Sequence, residues 1–365
     1  MNAGSASDPC SQCTAPLKVA PLPVSVTCVL TERCNQRCGV CGYPLRSEAP
    51  RDLPVSVLQG VLEELSVSPN TTVVLTGGEP TLHPEFERIL ELLLSFPGTV
   101  CLLTNGRPVP GSVATRFYSA PGPRMVVVSL YGRARIHEAV TAVTGSFEAA
   151  REGFRRWRLA AESCSRRDPE FPAIGMTLCS VNINEVPAVL EIAQAWGAPT
   201  VTIEPAYKPR FAAWDLTRAT RLSVLEQDAV WATWAAQLGV KLIDLTPLLL
   251  VQPRCCIVPM RSVYIGAAGS VFPCIPAKGG FKDEDAGAVG NLTSQGLRTI
   301  WHAPAFAAFR RKAARRSFPF CADCLPRHHV MTLTDGPCMD CSQVDEIVAP
   351  TVLPEQGNGS RLQPP

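Results

Sequence analysis

Short apolar runs alternate with longer amphipathic stretches over residues 21–210. Val24–Leu30, Thr72–Thr76, Val100–Thr104, Met125–Leu130, Ile174–Cys179 and Thr200–Ile203 are rich in β-branched and aliphatic residues and too short for helices, the pattern of buried strands. Between them, apolar positions recur at helical spacing over Ser56–Leu65, Pro84–Leu94, Ser146–Leu159 and Glu185–Ala195. Strands that alternate with helices belong to a parallel sheet with right-handed crossovers. Six such strands fall short of the eight of a closed (β/α)8 barrel. The expected fold class is therefore α/β: a partial (β/α)6 TIM-like barrel with a small cysteine-rich C-terminal domain. In such folds ligands bind at the carboxyl ends of the strands, so motifs that directly follow a strand matter most.

The rhythm changes further on. Residues 211–250 read as a linker with a helix around Val224–Leu238 and the strand-like VKLIDL at Val240–Leu245. From Cys255 onward the β–α alternation stops while cysteine, proline and basic residues increase, so residues 251–345 read as a separate domain. Residues 1–20 and 346–365 read as disordered.

Composition narrows the function. The chain has 365 residues, 46% of them hydrophobic, enough for a substantial core. A net charge of +2 and only 7% aromatics argue against a nucleic-acid or anionic-membrane partner. No run approaches the ~20 apolar residues of a membrane span, and MNAGSASDPCSQC lacks the basic and apolar regions of a signal peptide. A cytoplasmic location is expected. There, 16 cysteines are more naturally metal ligands than disulfides.

The first cysteine group, LTERCNQRCGVCGYP, follows the first strand and places Cys34, Cys38 and Cys41 on one loop. Thiolates are the usual iron–sulfur ligands. Three of them on a 4Fe–4S cubane leave one iron open to an amino and carboxylate chelate such as that of S-adenosylmethionine (SAM). Zinc is the competing reading, but it wants four ligands, and the first histidine is His83. The spacing resembles that of the radical SAM superfamily, a likeness that extends over about Val24–Pro205. The family often has an aromatic residue before its third cysteine, where this chain has Val40.

The resemblance carries further implications. Gly77, Gly78, Glu79 and Pro80 follow the second strand; the family's matching motif binds the SAM amino group, and glycines allow close backbone approach. Thr104-Asn105-Gly106 ends the third strand, with Asn105 shaping the SAM pocket. Ser129-Leu130-Tyr131-Gly132 ends the fourth, with Ser129 expected at the SAM carboxylate. His137 reads first as a structural residue.

The later cysteines resemble the SPASM/twitch domains that follow many radical SAM barrels. Gly269 and Cys274 match a G-x4-C element, and Cys256, Cys274, Cys321 and Cys324 would hold an auxiliary 4Fe–4S cluster. Cys255, Cys338 and Cys341 are possible additional ligands, for a second auxiliary cluster. A structural zinc on Cys321, Cys324, Cys338 and Cys341 is the alternative. Cys10 and Cys13 form a further CxxC. Cys28, Cys101 and Cys179 lie in strands and read as small buried hydrophobes; Cys164 reads as a bystander.

The implied activity is reductive cleavage of SAM to a 5′-deoxyadenosyl radical, followed by hydrogen abstraction from a substrate carbon. The auxiliary cluster would aid oxidation or electron transfer, and a flavodoxin or ferredoxin would be the reducing partner. Only 33 residues precede Cys34, too few for a peptide-recognition domain. That favours a small molecule such as a sugar or secondary metabolite over a peptide (RiPP) substrate. A non-catalytic iron–sulfur carrier or binding protein is the reading from another class.

Overall fold

A computed structural model describes residues 19–41, 49–68, 70–167, 170–206, 214–216, 218–245, 258–274, 287–314 and 318. Seven strands lie side by side in chain order, each parallel to the last: β1 (Ser25–Thr31), β2 (Thr72–Gly77), β3 (Thr99–Thr104), β4 (Arg124–Ser129), β5 (Ala173–Leu178), β6 (Thr200–Pro205) and β7 (Lys241–Asp244). Helices α1 (Val55–Leu65), α2 (Phe86–Leu93), α3 (Gly111–Ser119), α4 (Ala134–Thr141), α5 (Ser146–Ser163), α6 (Val186–Trp196) and α7 (Arg218–Gln237) lie between them in sequence. This is the partial TIM-like barrel, with the alternating burial of β4 and β5 typical of strands that present one face to helices. The core is continuous, from Val26, Cys28 and Leu75 in the sheet to Phe117, Phe154 and Trp157 on the helices.

The strand-like VKLIDL becomes β7, pairing with β6 from Thr200↔Lys241 to Ile203↔Asp244. It is only four residues long and half exposed, so its apolar signal is faint. The first strand's other edge is taken by β8 (Ser262–Ile265), parallel to β1 with Val26 opposite Val263. An antiparallel turn at Gly266–Gly269 leads to β9 (Ser270–Phe272), which pairs with β10 (Gly290–Asn291). Gly269 sits at φ +81°, a conformation that favours glycine. Among the described residues, one ten-stranded sheet thus runs from β10 to β7.

Two short helices, α8 (Val258–Arg261) and α9 (Leu297–His302), and a longer one, α10 (Pro304–Ala314), pack where β1 begins. Glu64 of α1 accepts the Leu297 and Arg298 N–H groups at 2.8 and 2.6 Å, capping α9. Trp301 donates to Ala20 O at 2.7 Å. Arg310 lies 4.1 and 4.0 Å from the Trp301 and Phe306 ring centroids and donates to Pro259 O. Among the described residues, no helix is long and apolar enough to cross a membrane.

Candidate active site

The loops that leave β1, β2, β3 and β4 meet at the carboxyl end of the sheet. Both ends of the cysteine loop are anchored. At its root, Glu32 N–H donates to Arg51 O and Leu53 N–H to Leu30 O. Two reciprocal ion pairs flank these bonds, Glu32 with Arg51 and Arg33 with Asp52, both at 3.0 Å. Together the two pairs fix two adjacent residues in one register. Further along, the Arg37 and Gly39 N–H groups donate to Thr141 O (3.0 Å) and Val140 O (2.9 Å). These are carbonyls at the end of α4 that have no partner within the helix.

Cys38 sits between those two bonds and is buried; Cys41 is half-buried and Cys34 exposed. Burial pushes the Cys38 thiol up to about 12, so loading metal there must displace a proton. The described cysteines are all free of disulfides. Nor, among the described residues, do any three Cys, His, Asp or Glu side chains converge as a mononuclear ion requires. A cubane asks less convergence, because each thiolate meets a different iron. The donor set fits it: the Gln36 N–H points at Cys34 Sγ (3.4 Å) and Asn105 Nδ2 approaches the same sulfur (4.0 Å). Hydrogen bonds to sulfur suit thiolate-bound iron.

The glycines of the GGEP turn make room for protein backbone. A Cβ on Gly77 would lie 2.3 Å from Thr31 O, and one on Gly78 2.2 Å from Arg33 O. Thr31 and Arg33 belong to the root of the cysteine loop, and the Gly78 and Glu79 N–H groups donate to Thr31 O and Arg33 O. The glycines thus let two loops of the protein touch. Glu79 is fully buried. Its Oε1 accepts from Thr81 N (3.2 Å), Thr81 Oγ1 (2.7 Å) and Thr104 Oγ1 (2.8 Å), and its Oε2 from Asn105 N (2.7 Å). Burial raises its pKa against these four donors, which pull it down. Pro80 starts the short 3-10 turn Pro80–Leu82 that brings Thr81 back onto the carboxylate. Asn105 in turn donates through Nδ2 to Asn35 Oδ1 at 2.8 Å. Glu79 and Asn105 thereby tie the second and third strand ends to the cysteine loop.

Ser129 ends β4, two residues before Tyr131. The Tyr131 ring packs on Cys38 and Val140. The Tyr131 N–H donates to His137 Nδ1 at 3.3 Å, and the two rings lie 5.6 Å apart. His137 is fully buried and held near pKa 4 by burial, hence neutral. It is structural, as its sequence context suggests. The cradle made by Tyr131, His137 and the end of α4 has no signature in the sequence. Neither do Thr81 and Thr104 as Glu79's donors, although a threonine beside Asn105 and another two residues past Glu79 is a spacing that permits such turns.

Cys274 follows β9, which runs antiparallel to β8 and β1. It therefore lies toward the start of β1, whereas the three-cysteine loop leaves its end. The seven residues of β1 separate them by roughly 20 Å at ~3.3 Å per residue. Cys274 packs near Phe309, Ala313 and Phe318. Cys255, Cys256, Cys321, Cys324, Cys338, Cys341, Cys10 and Cys13 fall outside the described residues. Cys28, Cys101 and Cys179 are buried, as expected of strand cysteines.

Comparison with known proteins agrees with this layout. The family profile of the radical SAM superfamily matches residues 28–164, and that of the SPASM iron–sulfur cluster-binding domain matches residues 255–325. Pre-heme d1 synthase of Dinoroseobacter shibae is 29% identical over 174 residues, 47% of this chain; the chain spans only 40% of that relative's length. Mycofactocin maturase MftC of Mycobacterium ulcerans is 24% identical over 93% of this chain and 95% of its own. PqqA peptide cyclase of a Methylobacterium species is 25% identical over 81% and 78%. Streptococcus suis SuiB bound to S-adenosylmethionine shares the fold, with a TM-score of 0.65 at 12% identity over 87% of this chain and 76% of SuiB. The two matched domains bring SAM, the 4Fe–4S cluster that binds it and auxiliary iron–sulfur binding as cofactors. The chain belongs to the radical SAM superfamily and carries a C-terminal SPASM iron–sulfur cluster-binding domain.

Proposed function

We propose that this enzyme is a peptide maturase of the radical SAM/SPASM type. The observation that carries the reading is the length of the match to PqqA peptide cyclase, about four-fifths of both chains. The end-to-end match to mycofactocin maturase agrees with it. These favour the peptide alternative over a small-molecule substrate. Pre-heme d1 synthase keeps a small-molecule substrate as the second reading, on a match to under half of each chain.

Within this proposal Cys34, Cys38 and Cys41 hold the SAM-binding cluster. When loaded and reduced, it supplies the electron that cleaves SAM and so the 5′-deoxyadenosyl radical that abstracts a substrate hydrogen. The chain's own residues position that chemistry. Glu79 fixes Asn105 beside Cys34, and the end of α4 holds the backbone on both sides of Cys38. Ser129 and Tyr131 close the fourth-strand side. Cys256, Cys274, Cys321 and Cys324 hold an auxiliary cluster, with Cys255, Cys338 and Cys341 as further ligands. Cys274 lies about a strand's length from the triad, which suits electron transfer better than direct contact with a substrate at the first site. A flavodoxin- or ferredoxin-type protein supplies the electrons. The barrel runs from residue 21 through β7, past the limit at 210 that the sequence suggests, and residues 251–345 form the cysteine-rich unit.

The test is anaerobic reconstitution with dithionite, SAM and candidate precursor peptides carrying deuterium at side-chain carbons. Deuterium in 5′-deoxyadenosine together with a changed peptide mass is the expected result. Stimulation by a tetrapyrrole and by none of the peptides would move the assignment to the second reading. No 5′-deoxyadenosine from fully loaded protein would leave an electron carrier.

A further inference from the structure

We propose that α5 is a spacer for the SAM-cleaving site: it fixes the separation between the supports of Cys34 and of Cys38, with Gly153 as the positioning residue at which it meets the Cys34 side, given Cys34, Cys38 and Cys41 as the cluster ligands on which this rests.

The two supports reach α5 at different heights. On the Cys38 side, the flanking Arg37 and Gly39 N–H groups end on Thr141 O and Val140 O of α4. The Thr141 side chain is tied in turn to the first residue of α5, Oγ1 to Ser146 Oγ at 2.7 Å, in a buried position. Phe147, the next residue, packs edge-on against His137 of α4 at 6.0 Å. On the Cys34 side, Asn105 Nδ2 approaches the sulfur and donates to Asn35 Oδ1. Asn105 Oδ1 accepts from Arg107 N at 3.0 Å, so Asn105, Gly106 and Arg107 form one closed turn. That turn lies directly on the helix. A Cβ on Gly153 would lie 1.9 Å from Gly106 O and 2.7 Å from its carbonyl carbon, and a Cβ on Gly106 would lie 2.9 Å from Ala150 Cα. One turn of helix further on, Arg156 donates to Val109 O at 2.9 Å and holds the same loop. Ser146 and Gly153 are thus two contact points on one helix, separated by about 10 Å at ~1.5 Å rise per residue.

A helix serves as a ruler only if it is itself held. Ala150, Phe154 and Trp157 lie on the same face of α5 as Gly153 and are buried in the core. Glycine in a helix interior lowers stability relative to alanine, so helix formation does not explain Gly153, whereas the contact with Gly106 does. Gly60 of α1 is the contrast, with nothing within 4 Å of the place its Cβ would take. A methyl group at 153 must part the turn and the helix by about 1 Å, because contacts under 3.0 Å force a shift and the partner here is backbone. If the turn gives way, Asn105 leaves Cys34; if the helix gives way, Ser146 leaves Thr141. Either route changes the spacing of the two sulfur supports.

The experiment compares Gly153→Ala with Gly60→Ala in the reconstituted full-length enzyme, with iron measured on each sample. Both add the same methyl group to a helix, and only the first meets backbone. Gly153→Ala is expected to keep wild-type iron and to exchange the amides of residues 104–107 faster. It should also need about tenfold more SAM to produce the SAM-induced change in the cluster's EPR signal, within the range that a 1 Å misplacement carries. Gly60→Ala should match wild type in exchange and in the SAM response, which separates positioning from a general change in stability. Ser146→Ala cuts the tie to Thr141 and is expected to speed exchange at the Arg37 and Gly39 amides, so the proposal stays testable where Gly153→Ala folds or loads poorly. Wild-type exchange or a wild-type SAM response in Gly153→Ala with full iron overturns the spacer, as does wild-type exchange at residues 37 and 39 in Ser146→Ala or an equal shift in Gly60→Ala. A wild-type protein that loads no cubane on the three cysteines overturns the ligand assignment beneath it.

Discussion

Replacing Glu79 with glutamine tests whether this residue is the joint between the strand ends and the cysteine loop. The substitution is isosteric, so its effect is on hydrogen bonds. Glutamine does best by placing its carbonyl oxygen where Oε1 accepts from Thr81 N, Thr81 Oγ1 and Thr104 Oγ1. Its NH2 then faces the Asn105 N–H, which now donates to Oε2 at 2.7 Å. Two donors meet, and one buried N–H loses its acceptor, a cost of about 1–3 kcal/mol. The flipped amide is worse, since it confronts three donors. The remaining bonds also weaken on losing the charge. Relief of the burial that raises the Glu79 pKa offsets part of this. The net expectation is about 2 kcal/mol at Asn105, or about 30-fold faster local amide exchange at 1.36 kcal/mol per tenfold. Hydrogen–deuterium exchange read at residues 104–107 measures it. Thr104→Val, which removes one of three donors to the same oxygen, should give a smaller change in the same direction. Wild-type exchange in Glu79→Gln would refute the joint.

Acidification should destabilise the fold through His137. The unfolded imidazole titrates near 6.5 and the buried one at about 4, so below pH 6.5 the unfolded chain binds more protons and stability falls with pH. The loss reaches about 2 kcal/mol at pH 5 and levels off near pH 4; His137→Asn, which keeps an acceptor for Tyr131 N–H, should lack this component in pH-dependent unfolding, and an unaltered profile would contradict it. Arg124→Met should lower stability by about 3 kcal/mol or more. The buried guanidinium donates to Gly98 O, Pro123 O, Leu93 O and Phe96 O, bonds to a charged donor that carry ~1.5–3 kcal/mol each before its burial cost; a melting temperature within a degree of wild type would sink this reading.

The strands were legible because they read as short runs of β-branched and aliphatic residues bounded by helical patterns. Val100–Thr104 and Thr200–Ile203 match β3 and β6 to within two residues. Helices α3 and α4 were not legible. Gly111–Ser119 and Ala134–Thr141 are short and mix polar with apolar side chains in nearly equal measure, so packing rather than pattern makes them helical. The strand β7 is visible only as a brief apolar alternation, because an edge strand buries little.

The candidate site divides in the same way. Cysteine spacing exposes the ligands, since iron constrains sequence directly. The support behind them depends on contacts between residues far apart in the chain. Thr104 reaches Glu79 across 25 positions and Arg37 meets Thr141 across a longer gap. Gly77 and Gly78 show the limit most clearly. Their small size was readable, but the partner they make room for, the backbone of Thr31 and Arg33, was not.

The most direct test of the account is 57Fe Mössbauer spectroscopy of the anaerobically reconstituted enzyme, recorded with and without SAM. Three protein ligands on a cubane leave a single iron for the cofactor, so SAM should alter one iron subsite and leave the others unchanged, and Cys38→Ala should abolish that response. A spectrum in which no subsite responds to SAM, from protein carrying its full complement of iron, would contradict the claim that Cys34, Cys38 and Cys41 hold a SAM-binding cluster.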